Sequence, residues 1–438
     1  MEAVELCLAT KERLQDAAMV DKLSLVARQA LERAEALKGQ SSAAAQPSLP
    51  PQPSAISLLK PLGNLNWGEE AAPGGAGGGG GGGYTAEEKR VLAETSTVNG
   101  RQYLPFTAAD LGERFAFPLP WTDPAGLLAL SPKQRGKLAA WCRPEEFMAR
   151  PTMIQVVDCY SVKQTCVSDC SFVASIAITA QYEKKFRKKL ITNIIFPQDR
   201  NRVPVYNPAG KYMVKLHING VARKVVVDDL LPVGRHSEPL CSYSSNRSEL
   251  WISLLEKAYM KVMGGYDFPG SNSNIDLYAL TGWIPERVAV RPGDQAFNPE
   301  ATFRLLLSRC PAPPSLPRFS SGHVLVTAAT GEMTEAVAER AGLVPTHAYA
   351  VLDVREVLGV QLFKLKNPWA HLRWRGNWSE LDSAHWTHQF REALDYNPED
   401  AANFDNGELV EGGACRPWSQ ACSGSTTSPC STTSTCST

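Results

Sequence analysis

The sequence predicts an α+β protein with a helical first lobe and a β-sheet second lobe. Apolar residues recur at helical spacing directly after Asp169, which is a suitable residue for a helix N-terminus. Residues 211–218 and 222–229 alternate apolar and polar side chains, as strands do. The segment THAYAVLDVREVLGVQLFKLKN, residues 346–367, has the pattern of two strands joined by a turn. These three observations place one long helix and at least one antiparallel hairpin in the fold.

Length and charge limit the classes of protein that the sequence can encode. The chain has 438 residues, enough for two or three domains. Lys plus Arg and Asp plus Glu both number 45, so no excess charge favours nucleic acid or an anionic membrane. Residues 1–20 alternate charged and apolar positions, unlike a signal peptide, and the longest apolar runs are about half the ~20 residues that span a bilayer. We expect a cytoplasmic protein without a nucleic-acid partner or a transmembrane segment.

The eleven cysteines do not indicate a disulfide framework or a zinc site. Disulfides are rare in a reducing compartment. The chain has no C-x-x-C pair, and no histidine lies near Cys166 or Cys170 in the sequence. No cofactor is required by these patterns.

Composition divides the chain into five parts. Residues 2–38 have the periodicity of two amphipathic helices, and a Pro-rich and then Gly-rich stretch with seven consecutive glycines follows. Globular patterns continue to about residue 406, after which a Ser/Thr/Cys-rich tail shows no periodicity and is expected to be disordered. The expected divisions are 1–40 for the helices, 41–99 for the linker, 100–282 and 283–410 for the two lobes, and 411–438 for the tail.

The stretch QTCVSDCSFVASIAITA, residues 164–180, places Cys170 in the first turn of the predicted helix. Free backbone N–H groups and the helix dipole favour a thiolate there, so we expect a lowered pKa and a nucleophile. Cys166 falls in the preceding loop and lacks this help. The alternative is that Cys170 is a small core residue, as cysteine often is.

A thiolate nucleophile needs a histidine to share its proton and a group that orients this histidine. If the hairpin is centred on Val357, His347 faces Asn367, and directly opposed residues have Cβ atoms about 5 Å apart. The alternative is an ordinary cross-strand polar pair. Cysteine, histidine and asparagine together form a papain-type set with its active site between two lobes, and the amide of Gln164 is placed to donate to an oxyanion.

These residues resemble the calpain family of cysteine proteases over roughly residues 100–407, because five motifs occur in order. They are QTCVSDC (164–170), VVVDDLLP (225–232), SELWISLLEKAYMKVMGGYD (248–267), GLVPTHAYAVLD (342–353) and KNPWAHLRWRGNWSE (366–380). The resemblance implies an intracellular endopeptidase that hydrolyses peptide bonds of protein substrates through a thioester acyl-enzyme. Cys170 would be the nucleophile, His347 the general base and then acid, and Asn367 the orienting residue, with Gln164 as oxyanion donor.

The resemblance also implies roles for two cleft residues and indicates a branch of the family. Trp369 matches the tryptophan that wedges between the lobes, and Gly282 lies where the first lobe passes to the second and binds substrate backbone. Ser168, Ser171 and Thr346 replace the glycine, tryptophan and glycine of conventional calpains. These replacements resemble the PalB-like branch.

That branch carries N-terminal MIT domains, three-helix modules that bind ESCRT-III proteins. Residues 25–39 are similar to the last helix of such a module, although a first helix is missing, so 1–40 is expected to be a partial module. A non-catalytic or weakly active adaptor that binds ESCRT-III-type partners is the alternative function, with nucleus and endosomes as further locations. After FDNGE (404–408) the sequence departs from the family, and the second lobe is expected to be incomplete at its C-terminus.

The resemblance implies calcium dependence, but two ligand positions depart from the family. Ser161 stands at the acidic position of the first lobe, and Arg373 stands where the second lobe has a glutamate. Glu380 remains an acid. Calcium needs several oxygen ligands, and a fixed positive charge repels it. We expect that calcium does not switch this chain.

Overall fold

A computed structural model describes residues 85–290, 297–309, 324–369, 372–379, 382–394, 396, 408–411 and 432–437, the last two ranges as backbone only. The expected helices of 1–40 and residues 41–84 of the expected linker lie outside the described residues. The remaining linker residues, 85–99, are not an unstructured linker, because they contain a helix (Ala86–Glu94) and a short strand (Thr97–Val98). The described residues belong to one compact unit, so the expected division into two lobes at residues 282 and 283 stays a prediction.

Helices dominate the first part of the described chain. The long helix expected after Asp169 begins at Cys170 and ends at Phe186, where Arg187 takes a left-handed conformation. The helices are α1 (Ala86–Glu94), α2 (Pro132–Lys137), α3 (Pro144–Phe147), α4 (Cys170–Phe186), α5 (Trp251–Met263), α6 (Ser273–Thr281), α7 (Pro299–Arg309), α8 (Glu335–Ala341) and α9 (His388–Leu394). Neither α4 nor any other described helix combines the length and apolar character that crossing a membrane requires.

Four small sheets accompany these helices. The two alternating segments form one antiparallel pair, as predicted, and a third short strand extends it. The strands are β1 (Thr97–Val98), β2 (Arg101–Gln102), β3 (Leu138–Cys142), β4 (Val162–Lys163), β5 (Ile195–Phe196), β6 (Lys211–Ile218), β7 (Val221–Asp228), β8 (Leu231–Gly234) and β9 (Tyr243–Ser244). They pair as β1–β2, β3–β8, β4–β9 and β5–β6–β7.

One antiparallel sheet of six strands dominates the second part. Its strands are β10 (Ile284–Ala289), β11 (Val324–Ala329), β12 (Ala348–Val357), β13 (Val360–Lys366), β14 (Glu408–Glu411) and β15 (Thr432–Ser437). They lie in the order β10–β15–β11–β12–β13–β14. Strand β15 therefore separates β10 from β11.

The expectation of disorder for residues 411–438 is wrong for Thr432–Ser437. These residues bond along one edge to Ile284–Ala289 and along the other to Val324–Ala328. The physical reason is that this segment is rich in β-branched threonine, which favours strands, and both neighbouring strands offer unpaired backbone groups. The sequence predicted disorder because the segment lacks apolar periodicity. Periodicity reports which side chains are buried, and it does not report backbone pairing.

The two faces of β12 contribute to two hydrophobic cores. Ala348, Ala350 and Leu352 join the core formed by α4, α5 and the small sheets, whereas Tyr349 and Val351 belong to a second core. This alternation follows from the two-residue period of a strand. As a result, the start of β12 packs directly against α4.

The hairpin exists, but its turn is not centred on Val357. Val357 pairs with Val360, and Leu358 and Gly359 form the turn with φ values of 51° and 79°. Two left-handed residues are the requirement of a type I′ hairpin turn. A register shift at Val351/Asp353 then changes the pairing by one residue, so the predicted direct opposition of His347 and Asn367 is wrong.

Candidate active site

Cys170 is the first residue of α4, and its thiol is partly buried. The backbone N–H groups of Ala348 and Ser171 donate to its sulfur. The nucleophile candidate therefore lies beside the start of β12, next to the residue that follows His347. Sequence reasoning placed the cysteine correctly at a helix start.

The expected lowering of the Cys170 pKa is wrong. Burial raises the pKa of this thiol, and a negative charge on Asp169 would raise it further, while the N–H groups of Ala348 and Ser171 lower it. Desolvation penalises a thiolate more than one helix terminus can offset. In the resting state the cysteine is therefore a neutral thiol.

His347 is buried, with 3% of its surface exposed. Its Nε2 lies 2.9 Å from Asn367 Oδ1. Burial lowers the pKa of the imidazole to about 4, although the bond to Asn367 raises it in part. At neutral pH His347 is an uncharged base.

The amide of Asn367 can have only one orientation. Its Nδ2 donates to the carbonyl of Leu372 at 2.9 Å, and its Oδ1 accepts from the backbone N–H of Trp369 at 3.0 Å. A carbonyl only accepts and a backbone N–H only donates, so the oxygen must face His347. Consequently Nε2 of His347 carries the proton, and Nδ1 keeps the lone pair that can accept another.

Trp369 contacts the imidazole. Its ring centroid lies 4.7 Å from that of His347, with the planes inclined by 51°. Tyr349 contacts the same imidazole with its edge, at 5.2 Å and 88°. The two aromatic rings exclude water from His347 and so contribute to the lowered pKa. The expected position of Trp369 between two lobes remains a prediction.

Gln164 does not present a free amide donor in this conformation. Its Nε2 donates to the carbonyl of Val167 at 2.9 Å and to Oδ1 of Asp169 at 3.1 Å. Both amide hydrogens are therefore engaged within the loop before α4. An oxyanion could receive a bond from Gln164 only if one of these two contacts were exchanged.

Two contacts join residues 162–164 to residues 366–368, and sequence reasoning missed the residue that makes one of them. Lys366 is buried, and its ammonium donates to the carbonyl of Val162 at 3.1 Å. The backbone N–H of Gln164 donates to Pro368 at 3.1 Å. A lysine inside an apolar strand was the available signal, since such residues are rarely buried without partners.

Gly282 ends α6 and has a φ of 73°. A Cβ placed there would lie 2.7 Å from Nε2 of His217. Backbone conformation and the close approach of His217 together require glycine. The expected contact of Gly282 with substrate backbone stays a proposal.

Thr346 also has a left-handed conformation, with a φ of 47°. This conformation is costly for a β-branched residue. Its backbone N–H donates to Gly331 at 3.0 Å and holds the turn that precedes His347. The glycine of conventional calpains would meet this requirement without strain.

The two departures at the implied calcium positions do not fit an ion. The hydroxyl of Ser161 donates to the carbonyl of Asp158 at 2.8 Å, and the carboxylate of Asp158 pairs with Lys184. Arg373 contributes a cation. Within the residues that the structure describes, no group of three or more His, Cys, Asp or Glu side chains is arranged to hold a metal.

A family model described as calpain family cysteine protease matches residues 122–405. The chain belongs to the calpain family of cysteine proteases. It is 53% identical to human calpain-7 over 416 residues, which is 93% of this chain and 50% of the relative. Mouse calpain-7 is 53% identical over 417 residues, again 93% and 50%. The chain thus spans about half the length of these curated relatives.

Fungal calpains are also similar. The calpain-like protease palB/RIM13 of Aspergillus oryzae is 37% identical over 299 residues, which cover 65% of this chain and 33% of the relative. These matches confirm the resemblance to the PalB-like branch of the calpain family. The mixed helices and sheets of the structure are those of a calpain protease domain.

Proposed function

We propose that this calpain-family chain is a cysteine endopeptidase that hydrolyses peptide bonds through a thioester acyl-enzyme. The observation that carries the proposal is the fixed amide of Asn367, which leaves Nδ1 of the buried His347 as the proton acceptor. A protease of this class needs such a base close to its thiol. The contact of the Cys170 sulfur with Ala348 supports their proximity.

The protonation states define the first step. The step starts from a neutral thiol and a neutral imidazole, since burial raises the pKa of Cys170 and lowers that of His347. The proton of Cys170 passes to Nδ1 of His347 as the sulfur bonds to the substrate carbonyl carbon. The imidazolium then protonates the leaving amine, the C–N bond breaks, and a thioester remains. Water, deprotonated by His347, hydrolyses that thioester and releases the acid and the thiol.

Two N–H donors support a role in stabilising the oxyanion. The backbone N–H of Cys170 is the first of α4, and the first N–H groups of a helix have no partner within it. Gln164 lies in the preceding loop, and one of its amide hydrogens bonds to the carbonyl of Val167. We propose that this hydrogen leaves Val167 and bonds to the oxyanion. Each such donor contributes roughly 10²- to 10³-fold to turnover.

Substrate class, architecture and location are part of the same proposal. Protein substrates follow from the protease family. We propose a papain-like arrangement of two lobes with the cleft beside Cys170 and His347, in the cytoplasm with nucleus and endosomes as further locations. The adaptor function that binds ESCRT-III proteins depends on residues 1–40, outside the described residues, and is kept as the alternative proposal.

Trapping the acyl-enzyme tests this function. The full chain is mixed with a peptide ester, quenched in acid and digested, and the acyl group is located by mass spectrometry. We expect the acyl group on the fragment that contains Cys170, and none after Cys170→Ala, whereas Cys166→Ala should still form it. Turnover without acylation, or acylation of another cysteine, would overturn the mechanism.

A further inference from the structure

Two fully buried carboxyl groups lie behind the nucleophile. Asp169 immediately precedes Cys170, and Glu256 lies in the middle of α5; neither has any exposed surface. The two side chains bond to each other. The catalytic scheme above uses neither of them.

The donors around the pair define a hydrogen-bonded chain. Both oxygens of Glu256 accept the backbone N–H of Ser242, at 2.9 and 3.0 Å. Oδ1 of Asp169 accepts from Gln164 at 3.1 Å, whereas Oδ2 is buried and accepts no bond from an ordinary donor. Two carboxylates cannot bond to each other unless one of them carries a proton.

The surroundings favour that proton. The ionisable groups that face the pair from neighbouring elements are acids, phenols and thiols: Cys170, Cys241, Tyr259, Tyr266 and Asp276. The adjacent lysine of α5, Lys257, is bonded to Asp228 and the carbonyl of Leu230. Burial raises the pKa of both Asp169 and Glu256, and their mutual repulsion raises that of Asp169 further.

We propose that Asp169 and Glu256 share one proton at neutral pH, and that the neutral Asp169 so formed is a positioning residue for Gln164 and Cys170. Glu256 is the charged member, because both its oxygens accept a backbone N–H. Asp169 donates its O–H to Glu256 and accepts the amide N–H of Gln164 on its other oxygen. Because the second oxygen of Asp169 accepts, the Gln164 amide is oriented with its nitrogen toward Asp169.

The shared proton also controls the charge beside the thiol. A charged Asp169 would oppose ionisation of Cys170, the next residue, whereas a charge on Glu256 is one side chain further away. The effect on catalysis depends on the proposed peptidase function. The shared proton itself does not.

Infrared difference spectra between the full unmodified chain and each variant test for the shared proton directly. We expect a protonated carboxylic acid band at neutral pH that is lost in both Asp169→Asn and Glu256→Gln, since an amide N–H then takes the place of the shared proton. Asp276→Asn is the matched control: burial raises the pKa of Asp276 only to about 6, so this variant should keep the band. Absence of the band from the unmodified chain, or its survival in both variants, would overturn the proposal.

The pH dependence of Cys170 alkylation by iodoacetamide tests the positioning role. Glu256→Gln leaves the charge on Asp169, so alkylation of Cys170 should shift upward by about one pH unit, or about tenfold in rate at a given pH. Asp169→Asn keeps the charge on Glu256, and its profile should stay at or below that of the unmodified chain. Equal shifts in the two variants would indicate a merely structural effect. Neither measurement needs peptidase turnover, so failure of the proposed function would not imitate failure of the pair.

Discussion

Asn367 Oδ1 lies 2.9 Å from His347 Nε2, although the two residues are not paired in the hairpin register. The contact is possible because both lie just outside the paired strands, where β12 begins and β13 ends. The same oxygen accepts the N–H of Trp369, so it is held from two sides.

Replacing Asn367 tests the importance of this contact. Asn367→Ala should lower kcat by about 10- to 100-fold, because His347 loses the group that fixes its tautomer and orientation. Steady-state kinetics with circular dichroism as a folding control measures this. Asn367→Asp should recover part of the activity and move the acid limb to higher pH, because a carboxylate raises the pKa of the imidazole. Unchanged kcat in Asn367→Ala would exclude the orienting role.

The raised pKa of Cys170 predicts how its reactivity depends on pH. Alkylation should continue to increase as the pH rises above about 9, beyond the usual thiol pKa. Mapping by mass spectrometry separates Cys170 from Cys166, whose pKa is raised mainly by burial and whose thiol donates to the carbonyl of Leu240. A plateau for Cys170 that is already reached at neutral pH would instead indicate a thiolate–imidazolium pair.

Burial of His347 makes stability depend on pH. Its pKa is about 4 in the folded chain and about 6.5 when unfolded, so the unfolded state binds more protons between these values. The stability is present above pH ~6.5 and is lost as the pH falls through about 4, by up to about 3 kcal/mol.

Urea unfolding of the unmodified chain and of His347→Gln measures this contribution. The difference in unfolding free energy between neutral pH and pH ~4 should be smaller in His347→Gln than in the unmodified chain, by up to about 3 kcal/mol. His217→Gln is the matched comparison. Burial lowers the pKa of His217 to about 4 as well, so this variant should reduce the pH dependence of stability by a similar amount. Identical pH dependence in His347→Gln and the unmodified chain would contradict the burial of a neutral imidazole.

Calcium should not switch the chain. Arg373 and Ser161 stand at positions where carboxylates would be needed, and the hydroxyl of Ser161 is already bonded to Asp158. Calorimetric titration with millimolar Ca²⁺ should give little heat and no gain in peptidase rate. The double variant Arg373→Glu with Ser161→Asp should bind more tightly than the unmodified chain. Saturable binding with a large rate increase in the unmodified chain would restore calcium control.

The helix of the nucleophile could be predicted because its signals are local. Asp169, Cys170 and the apolar residues of one face lie within a single stretch, and α4 begins where they indicate. The register of the hairpin was harder to predict from the sequence. Leu358 takes a left-handed conformation at which leucine is rare, so nothing in its residue type indicated the turn, and the bulge near Val351 changed the register again.

The electrostatics of the site could not be predicted from local sequence. The pKa of Cys170 depends on burial produced by β12, which is distant along the chain, and this burial reverses the effect of the helix start. The contact between Asp169 and Glu256 likewise joins the residue before α4 to α5. Such contacts follow from tertiary packing, which periodicity and residue spacing do not report.

The position of β15 has a consequence for the order in which the chain can fold. Ser437 pairs with both Ile284 and Val324, so within the described sheet β10 and β11 are joined through a segment that is synthesised long after them. Such non-local pairing closes long loops and slows folding. During synthesis the helical part can therefore collapse first, while β10 has no partner among the described strands until β15 is synthesised. Pulsed hydrogen exchange should show protection of α4 and α5 before β10, and simultaneous protection would show that the sheet nucleates without its last strand.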